Sequence, residues 1–521
     1  MKRRQFLQSA LMSASAGSMA FVGLSSPACA QETSSDAAKL KVDVLVVGGG
    51  FAGLTAAVTA AEAGARVLVV EKRAYVGGDG ILSAGIIASA RSVVHDEQHF
   101  TGDASLEKYW SLIESGATDE PLSKVRDNMP NSPIYSGIAK HDPRVIRRCA
   151  EMSPKVVAFV RSFGTKFLPI NPRQPFLVPS KPGSMPQLAK ALVDRLQRAN
   201  VRIWTDAKIS RLLTEQDASS QTEPHSLRVT GAQAFVDGKA ISISASAVVL
   251  ATGGFTDNEK MMRRYKRVWA DIPKGFSAVG EGVPPGHDGD GITLGRLAGA
   301  AVEDMESMPK LFAAPRLGQK SPSWILLDTD TAFLVDKNGR RFCDEHASRY
   351  AGCALECFRQ KIDGAYVLLD EATFNGPNRH RWRYDELLKQ KGLFKGHTIE
   401  EAAAQAGVDP AGLRQTIEAV NRDAARGKGD TLFGRQDSLF RALKAPYYIS
   451  TPSFPVRFKT EGGLEVNPDF QVLRAADDLP IPGLFAAGAT CGSISSRLCD
   501  VFASGLIAGR TAADFARKKA L

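Results

Sequence analysis

The sequence VDVLVVGGGFAG, residues 42–53, is the strongest indication of the fold. Its first half, Val42 to Val47, is an apolar run broken once, which predicts a buried strand of a parallel sheet. The glycines that follow fit the pattern GxGxxG. In that pattern Gly48 permits a tight turn, Gly50 lets the backbone approach a pyrophosphate, and Gly53 lets helix and strand pack closely. The N-terminus of the next helix would face the phosphates.

The residues after this stretch complete a β-α-β unit. Leu54 to Ala63 reads as a helix of small residues, and Val67 to Val70 as a second strand. Glu71 ends that strand, 23 residues after Gly48, where a carboxylate can accept both ribose hydroxyls of an adenosine. A plain glycine-rich turn is the alternative, but strand, glycines, helix, strand and acid in this order favour a dinucleotide site.

Three further segments point to FAD rather than NAD. Residues 72–80 (KRAYVGGDG), followed by Ser83-Ala84-Gly85, resemble the second glycine-rich loop of flavoproteins, which wraps the pyrophosphate. Residues 247–255 (AVVLATGGF) resemble the strand and ATGG turn of two-dinucleotide-fold flavoproteins. Residues 481–488 (IPGLFAAG) resemble another such strand near the C-terminus.

Composition excludes several classes of protein. The chain has 521 residues, 44% hydrophobic and 23% charged, as in ordinary globular proteins. Without residues 1–30, which hold three basic residues and no acid, the net charge of +10 becomes 10 − 3 = +7. The basic residues do not cluster in a stripe, so we expect no nucleic-acid partner. No apolar run in the body of the chain is long enough for an integral membrane segment.

Residues 1–30 are expected to be a twin-arginine signal peptide. Arg3-Arg4 precedes Phe6-Leu7, a soft apolar stretch follows, and Pro27 to Ala30 offers small residues for cleavage. An uncleaved membrane anchor is the alternative, which the short apolar stretch disfavours. Because the twin-arginine route carries folded proteins, it suits a chain that takes up its cofactor before export. We therefore expect the mature chain in the periplasm or outside the cell.

Cysteine spacing excludes some cofactors. No CxxC is present, so covalent c-type haem has no attachment site, and no zinc pattern appears. We predict no metal. One disulfide is possible in an oxidising compartment, but the sequence does not pair the six cysteines that follow the signal. They are Cys149, Cys343, Cys353, Cys357, Cys491 and Cys499.

Over about residues 40–515 the chain resembles the flavoprotein family of soluble fumarate reductases, succinate dehydrogenase flavoprotein subunits, urocanate-type reductases and 3-ketosteroid dehydrogenases. The resemblance implies an α/β fold: a Rossmann-like FAD-binding domain, roughly 40–307 and 458–515, with an inserted α+β capping domain at 308–457. The two domains would close over substrate. Within the inserted range, residues 398–401 (TIEE) predict a helix start with a capping box, and Asp409-Pro410 predicts the start of the next helix. The motifs that carry the resemblance are 48–53 with Glu71, 77–78, 251–254, 289–291, 339–345, 460–463 and 483–488.

The resemblance also implies a set of residues that contact FAD. The family's covalent flavin histidine is absent after Gly78, so FAD is expected to be non-covalent. The predicted contacts are Gly48, Gly50, Phe51, Ala52, Gly53, Glu71, Lys72, Gly77, Gly78, Ser83, Gly85, Ile209, Thr252, Gly253, Gly254, Asp290, Gly488, Val501 and Phe502.

Two arginines are the predicted catalytic residues. Flavin N5 exchanges a hydride with one substrate carbon, and the protein must exchange a proton with the neighbouring carbon. In the fumarate-reductase branch an arginine after the GxRFxNE-like motif does this, and Arg349 matches it, with His346 as an alternative donor. Arg497 matches the arginine that holds a substrate carboxylate by bidentate pairing. Structural roles, a salt bridge for Arg349 and a flavin-edge contact for Arg497, are the alternatives.

The departures from the family bear on the substrate. Met308 and Phe458 replace two substrate-binding histidines. Ile325 and Asp328 stand where the family has its Glu and Arg proton relay. We therefore expect a substrate other than fumarate or succinate, larger or less polar, with one carboxylate at most.

The sequence thus predicts a periplasmic FAD-dependent oxidoreductase of CH–CH bonds, which reduces or forms an activated C=C bond. A separate electron partner, a cytochrome or quinol system, is expected because no haem motif is present. Two alternatives stay open. One is a ketosteroid-type dehydrogenase of a neutral ring ketone, using Tyr350, Tyr447 or Tyr448. The other is a flavin-carrying electron-transfer subunit.

Overall fold

The structure is a computed structural model. It describes residues 40–83, 85–107, 142–170, 176–181, 184–216, 227–265, 270, 286–305, 310–317, 321–322, 331–346, 353, 356–376, 378–379, 384–427, 429–435, 440–492, 494 and 497–520. The predicted signal peptide, Met308, Ile325, Asp328, Arg349 and Tyr350 lie outside these residues, as does the side chain of Phe458.

The described elements alternate between strands and helices. The strands are β1 (Leu40–Val47), β2 (Val67–Val70), β3 (Ile87–Ala88), β4 (Phe176–Leu177), β5 (Arg202–Trp204), β6 (Ala207–Gln216), β7 (Leu227–Val236), β8 (Lys239–Leu250), β9 (Val302–Glu303), β10 (Lys310–Leu317), β11 (Ser321–Pro322), β12 (Phe333–Val335), β13 (Tyr366–Asp370), β14 (Leu393–Gly396), β15 (Tyr447–Ser450), β16 (Ser453–Lys459), β17 (Gly463–Leu464), β18 (Gln471–Leu473) and β19 (Pro480–Ala486). The α-helices are α1 (Phe51–Glu62), α2 (Val93–Glu97), α3 (Pro143–Ser162), α4 (Ser184–Arg198), α5 (Glu259–Tyr265), α6 (Asp290–Leu297), α7 (Glu371–Phe374), α8 (Tyr384–Lys389), α9 (Ile399–Ala406), α10 (Pro410–Arg426) and α11 (Leu498–Ala520). Gly78–Leu82 and Gly488–Thr490 are short 3₁₀ helices.

The largest sheet has the order β18-β19-β8-β1-β2-β5. In addition, β7 pairs with β8, and β6 pairs with β7. Its central strands β19, β8, β1, β2 and β5 run parallel. Both strands predicted from residues 42–47 and 67–70 are present, and their apolar residues are buried because helices cover the sheet. The helix after β1 begins at Phe51, three residues before the predicted Leu54, because the glycine turn is complete at Gly50.

Helices α1 and α11 pack closely against each other. A Cβ atom at Gly505 would lie 2.6 Å from the carbonyl oxygen of Ala52, and one at Gly509 would lie 2.3 Å from that of Ala56. Only glycine fits at such distances, since real Cβ atoms do not approach a carbonyl oxygen so closely. Helix α11 is thereby held against α1.

A second, antiparallel sheet has the order β12-β13-β15-β14. Its alternate residues form two cores, as the period of two along a strand requires. Leu334, Val367 and Leu369 belong to one core, whereas Phe333 and Leu368 belong to the other, beneath α9 and α10. The sheet lies inside the range predicted for the capping domain, 308–457, whose boundaries stay a prediction.

Two strands connect the sheets. β10 leads towards the second sheet and β16 leads back, and they pair antiparallel from Lys310 with Lys459 to Pro315 with Ser453. The two crossings of the chain therefore run side by side, next to the predicted domain boundaries.

The helix starts predicted at 398–401 and 409–410 are present, with one correction. Thr398 Oγ1 accepts a hydrogen bond from the Glu401 N–H at 3.1 Å, but the Glu401 carboxylate accepts from the N–H of His397, not from that of Thr398. The reciprocal capping box is thus shifted by one residue. Asp409 caps α10, and its carboxylate accepts from Gly412 N–H at 2.9 Å.

A buried ion cluster lies against β12 of the second sheet. The Arg341 guanidinium pairs with Glu345 and with Asp430, each at 2.8 Å, and all three side chains are 3% exposed or less. Burial opposes the charge, but the two carboxylates hold the pKa of Arg341 above its usual value. Glu345 also accepts from the Leu334 N–H at 2.9 Å, so the cluster fixes the segment 341–345 to β12.

Among the described residues, no helix is both long enough and apolar enough to cross a membrane.

The buried cluster predicts a large cost for Arg341→Met. The substitution removes the nearer cation of two buried carboxylates, while the more distant Arg435, 3.9 Å away, still faces Glu345. Breaking such a buried pair costs about 3–5 kcal/mol. We expect a clearly lower urea midpoint by circular dichroism. Arg510→Met is the matched control, because Arg510 is 62% exposed and its pair with Asp514 is worth about 1 kcal/mol or less. Equal midpoints for the two variants would contradict the assignment.

Candidate functional site

The turn after β1 brings two backbone segments into contact. Gly48 has a φ of +108°, and a Cβ atom there would lie 2.3 Å from the carbonyl oxygen of Ala251. A Cβ atom at Gly53 would lie 1.9 Å from the carbonyl oxygen of Gly48. Both positions therefore require glycine. At Gly50 the situation differs, since the nearest neighbour of a Cβ atom would be the Cα of Gly78 at 3.9 Å.

The two glycine-rich loops lie directly against each other. Gly77 donates its N–H to the carbonyl of Gly49 at 2.6 Å, and a Cβ atom at Gly78 would lie 3.0 Å from the Cα of Gly50. Helix α1 begins here, with no acidic residue in its first turn. Its first N–H groups have no partner within the helix, and they carry the positive end of the helix dipole. The arrangement fits a pyrophosphate.

Glu71 lies at the end of β2, 8% exposed. One carboxylate oxygen accepts from the Gly49 N–H at 2.7 Å and the other from the Arg73 N–H at 2.8 Å. Each oxygen keeps a further lone pair. The two backbone bonds fix the carboxylate next to the glycine turn, and the free lone pairs fit the diol of a ribose.

Threonines from distant segments hold the turn after β8. The Gly253 N–H donates to Thr490 Oγ1 and the Phe255 N–H to Thr460 Oγ1, each at 3.0 Å. Thr252 Oγ1 accepts from the Gly291 N–H at 2.9 Å. Sequence reasoning missed Thr490, because a single threonine after a glycine motif carries no signal of its own.

The C-terminal segment completes the cradle of glycines. A Cβ atom at Gly488 would lie 2.7 Å from that of Ala52, and the ring of Phe502 lies 5.1 Å from that of Phe51. The structure thus brings the predicted residues of four segments together around the start of α1. They are Gly48, Gly50, Phe51, Ala52, Gly53, Gly77, Gly78, Thr252, Gly253, Gly488 and Phe502, with Gly254 and Val501 adjacent to two of them in the chain.

Lys72 and Asp290 bind each other. Lys72 Nζ lies 3.2 Å from an Asp290 carboxylate oxygen, and Lys208 Nζ lies 3.1 Å from the other. Ile209, next to Lys208, is buried in the main core. Ser83 accepts from the Gly85 N–H at 3.2 Å, so it supports its own loop. Direct contact of FAD with Lys72, Ser83, Gly85, Ile209 and Asp290 stays a prediction, as it does for the residues of the cradle.

A charged pair that sequence reasoning missed lies beside the cradle. His287 Nε2 is 2.6 Å from an Asp79 oxygen, and Arg73 Nη1 is 3.3 Å from the other. The His287 ring would be 3.7 Å from a Cβ atom at Gly253. Burial raises the pKa of Asp79, but His287 and Arg73 outweigh this and lower it to about 2. Burial lowers the pKa of His287, but Asp79 outweighs this and raises it.

The predicted catalytic residues are described in part. Arg349 lies outside the described residues. Arg497 is half-buried directly before α11, and its carbonyl accepts from the Val501 N–H at 2.9 Å. His346 is half-buried, and its N–H donates to Asp344 at 2.9 Å. No group of three possible metal ligands occurs among the residues that the structure describes.

Tyr448, a candidate of the ketosteroid alternative, belongs to the core that contains Leu334 and Val367. Its ring stacks on Phe374 at 4.3 Å, its hydroxyl donates to Glu371, and burial together with this bond raises its pKa. Tyr447 is partly exposed on the same strand. Cys491 and Cys499 are buried.

The residues of the cradle fit FAD. Side chains would fill the space at Gly50 and Gly78, positive helix-dipole charge meets the position for a pyrophosphate, and Glu71 meets that for a ribose. Comparison with known proteins agrees. The sequence profile of the family described as "FAD binding domain" matches residues 43–500.

Relatives in sequence and structure extend this agreement. The chain is 28% identical to a probable fumarate reductase of Shewanella frigidimarina, over 92% of this chain and 75% of that protein. It is 28% identical to the urocanate reductase of Eggerthella lenta, over 91% of this chain and 75% of that protein. The solved structure of the open conformation of a flavocytochrome c3 fumarate reductase superposes with a TM-score of 0.65 at 25% identity, covering 92% and 79% of the two chains.

The geometry at Glu71 predicts a loss of FAD affinity in Glu71→Gln. The amide keeps the shape but loses the charge-assisted bonds, each worth about 1.5–3 kcal/mol, so we expect a Kd raised at least about tenfold. Fluorescence titration of apoprotein with FAD measures it. Glu62→Gln is the control, because Glu62 is 48% exposed and pairs with Arg195 instead. Unchanged affinity in Glu71→Gln would contradict the assigned ribose position.

The Asp79–His287 pair predicts a pH-dependent stability difference between wild type and His287→Gln. A histidine with a raised pKa stabilises the fold fully below its ordinary value of 6.5, and this is lost as the pH rises through the raised pKa. The Asp79 contribution is present above 3.8 and is lost as the pH falls towards about 2. The difference in melting temperature should therefore be largest between these two ordinary values.

Thermal melts of holoprotein at a series of pH values test this. His397→Gln is the control, because His397 is exposed and should give no such profile. A difference for His287→Gln that grows above neutral pH would have the wrong sign.

Proposed function

The chain belongs to this FAD-binding family, that of the fumarate reductase and succinate dehydrogenase flavoproteins, and from that premise we propose a substrate class for it. It is an FAD-dependent oxidoreductase that acts on CH–CH bonds, as the relatives named reductases indicate. We propose that it reduces, or forms, the activated C=C bond of an unsaturated carboxylate other than fumarate.

The observation that carries the proposal is the place of Arg497 relative to the cradle. Arg497 directly precedes α11 and comes five residues before Phe502, a separation of about 7.5 Å at the rise of a helix. Phe502 packs on Phe51 at the start of α1, and this supports a place for the half-buried Arg497 near the proposed cofactor. A guanidinium stays charged and presents a planar fork that matches a carboxylate.

Bound FAD supplies the hydride acceptor or donor at its N5 atom. The chain would hold FAD through the backbone at the start of α1, through Glu71, and through the turn at 252–254. Its remaining tasks are to orient the substrate and to move one proton. We propose Arg497 for the first and Arg349 for the second, with His346 as the alternative donor. The Arg341 cluster fixes the segment 341–345, directly before both donors.

The departures from the family support a substrate other than fumarate. Met308 and Phe458 are apolar where fumarate reductases carry histidines, so a second carboxylate would lack partners there. A relative is named urocanate reductase, and urocanate carries a single carboxylate. We propose an enoate with one carboxylate and a larger or less polar remainder.

Cofactor attachment and cellular location belong to the same proposal. Asp79 and Gly80 follow Gly78 where a covalent link would need histidine, so FAD is held non-covalently, and acid precipitation should leave a colourless pellet. Residues 1–30 direct the folded chain to the periplasm, so replacing Arg3 and Arg4 by lysine should retain it in the cytoplasm. A cytochrome or quinol system outside the chain exchanges electrons with it.

Anaerobic stopped-flow with photoreduced protein tests the substrate class. We expect a panel of enoates to reoxidise the flavin, and monocarboxylates to do so faster than fumarate. Arg497→Ala should lower the rate with a monocarboxylate by about 30-fold or more, since removing one partner of a buried charge pair costs 2–5 kcal/mol. The methyl ester of the same acid should lose much less. Arg510→Ala, on the exposed side of α11, is the matched control.

Three outcomes would contradict the proposal in different ways. If no unsaturated acid reoxidises the flavin, the chain is an electron-transfer subunit. A neutral ring enone that reacts equally with wild type and Arg497→Ala favours the ketosteroid alternative. Fumarate as the fastest substrate overturns the reading of Met308 and Phe458.

A further inference from the structure

We infer that Cys343 and Cys353 form a disulfide that closes the loop carrying the predicted proton donors. Their sulfur atoms lie 3.6 Å apart, and the residues are 3% and 2% exposed. The sequence does not pair the six cysteines that follow the predicted signal, whereas the fold brings these two together in one core.

The surroundings of the two thiols allow the bond. Both pack in the core that contains Leu334, Val367 and Tyr448. A disulfide needs about 2.05 Å between sulfurs, so each sulfur moves by less than about 1 Å. The weak contact in which the Cys353 thiol donates to the carbonyl of Glu345, at 4.0 Å, is lost because a disulfide carries no S–H group.

The reaction is a two-electron oxidation. The two S–H bonds break, one S–S bond forms, and two protons and two electrons pass to a disulfide oxidant, which is reduced to two thiols. In the reduced protein, the hydrogen bond between the two thiols and the burial of Cys343 raise the pKa of Cys343 well above its usual value, so little thiolate is present at neutral pH. Uncatalysed oxidation is therefore slow, and burial protects the product from reductants in the same way.

The bond closes a ring of sequence that includes His346 and Arg349. A short covalent ring restricts the unfolded chain and stabilises the folded one. At one end the ring adjoins the Arg341 cluster, which already fixes residues 341–345. Oxidation would therefore hold both ends of the segment with the proposed donors. In the cell this rests on the proposed export to an oxidising compartment, whereas the pairing itself does not.

Peptide mapping of the holoprotein tests the pairing. The protein is incubated with oxidised glutathione and a disulfide isomerase at mildly alkaline pH until the thiol count is constant. Its free thiols are then alkylated in denaturant, and it is digested with trypsin without reduction. Cleavage after Arg341, Arg349 and Arg359 places Cys343 in peptide 342–349 and Cys353 in peptide 350–359. We expect these two peptides joined, and separated again by dithiothreitol.

Cysteine variants identify the partner within the second peptide, which also contains Cys357. The joined peptide should persist in Cys357→Ser and disappear in Cys353→Ser and Cys353→Ala. Persistence in the Cys353 variants, or full alkylation of wild type after oxidation, overturns the pairing. Wild type should also melt a few degrees higher before reduction than after it, while Cys343→Ala melts alike in both states. Equal wild-type midpoints overturn the stabilising role.

Protein isolated from cells separates the pairing from the export. The exported chain should contain the joined peptide. A chain retained in the cytoplasm by the substitutions Arg3→Lys and Arg4→Lys should not contain it. Exported protein with Cys343 and Cys353 alkylated overturns the inference for the cell. If the link forms in the purified protein but the signal variant is still exported, only the export proposal fails.

Discussion

At the start of α1, backbone segments touch each other through glycines, with no side chain between them. This contact determines where the surrounding strands and loops can lie. Gly48 touches the chain after β8, Gly50 touches Gly78, and Gly488 lies against Ala52. No side chain larger than hydrogen fits at the closest of these crossings, so strand order and cofactor site are fixed by the same few atoms. The sheet order β19-β8-β1-β2 follows, because its strands must all end where these loops meet.

Buried charge is compensated locally in both halves of the chain. In the first, His287 and Arg73 neutralise Asp79 beside the glycine loops. In the second, Arg341 neutralises Glu345 and Asp430 inside an apolar core. Such clusters cost desolvation, and they tolerate few alternative geometries, because each member left unpaired would be a buried ion. Their effect is to fix the segments that lead to the cofactor and to Arg349.

Local patterns in the sequence predicted the parts that depend on local physics. The strand at 42–47, the glycine turn, Glu71 and the capped helix at Asp409 follow from periodicity, conformational freedom and hydrogen bonding over a few residues. The pair of Asp79 with His287 and the pair of Cys343 with Cys353 could not be predicted in this way. They join residues whose proximity is set by the tertiary fold, and their flanking residues follow no pattern that marks a partner.

The antiparallel ribbon of β10 and β16 has a mechanical consequence for the second sheet. Because the outgoing and returning strands are hydrogen-bonded to each other from 310–459 to 315–453, neither can slide without its neighbour. Sliding would break the hydrogen bonds of the ladder, whereas a change of twist keeps them, and two-stranded ribbons occur with a wide range of twist. The ribbon therefore holds the second sheet against sliding and leaves it free to tilt. Substitutions in the ribbon would change that tilt without altering the two cores of the second sheet.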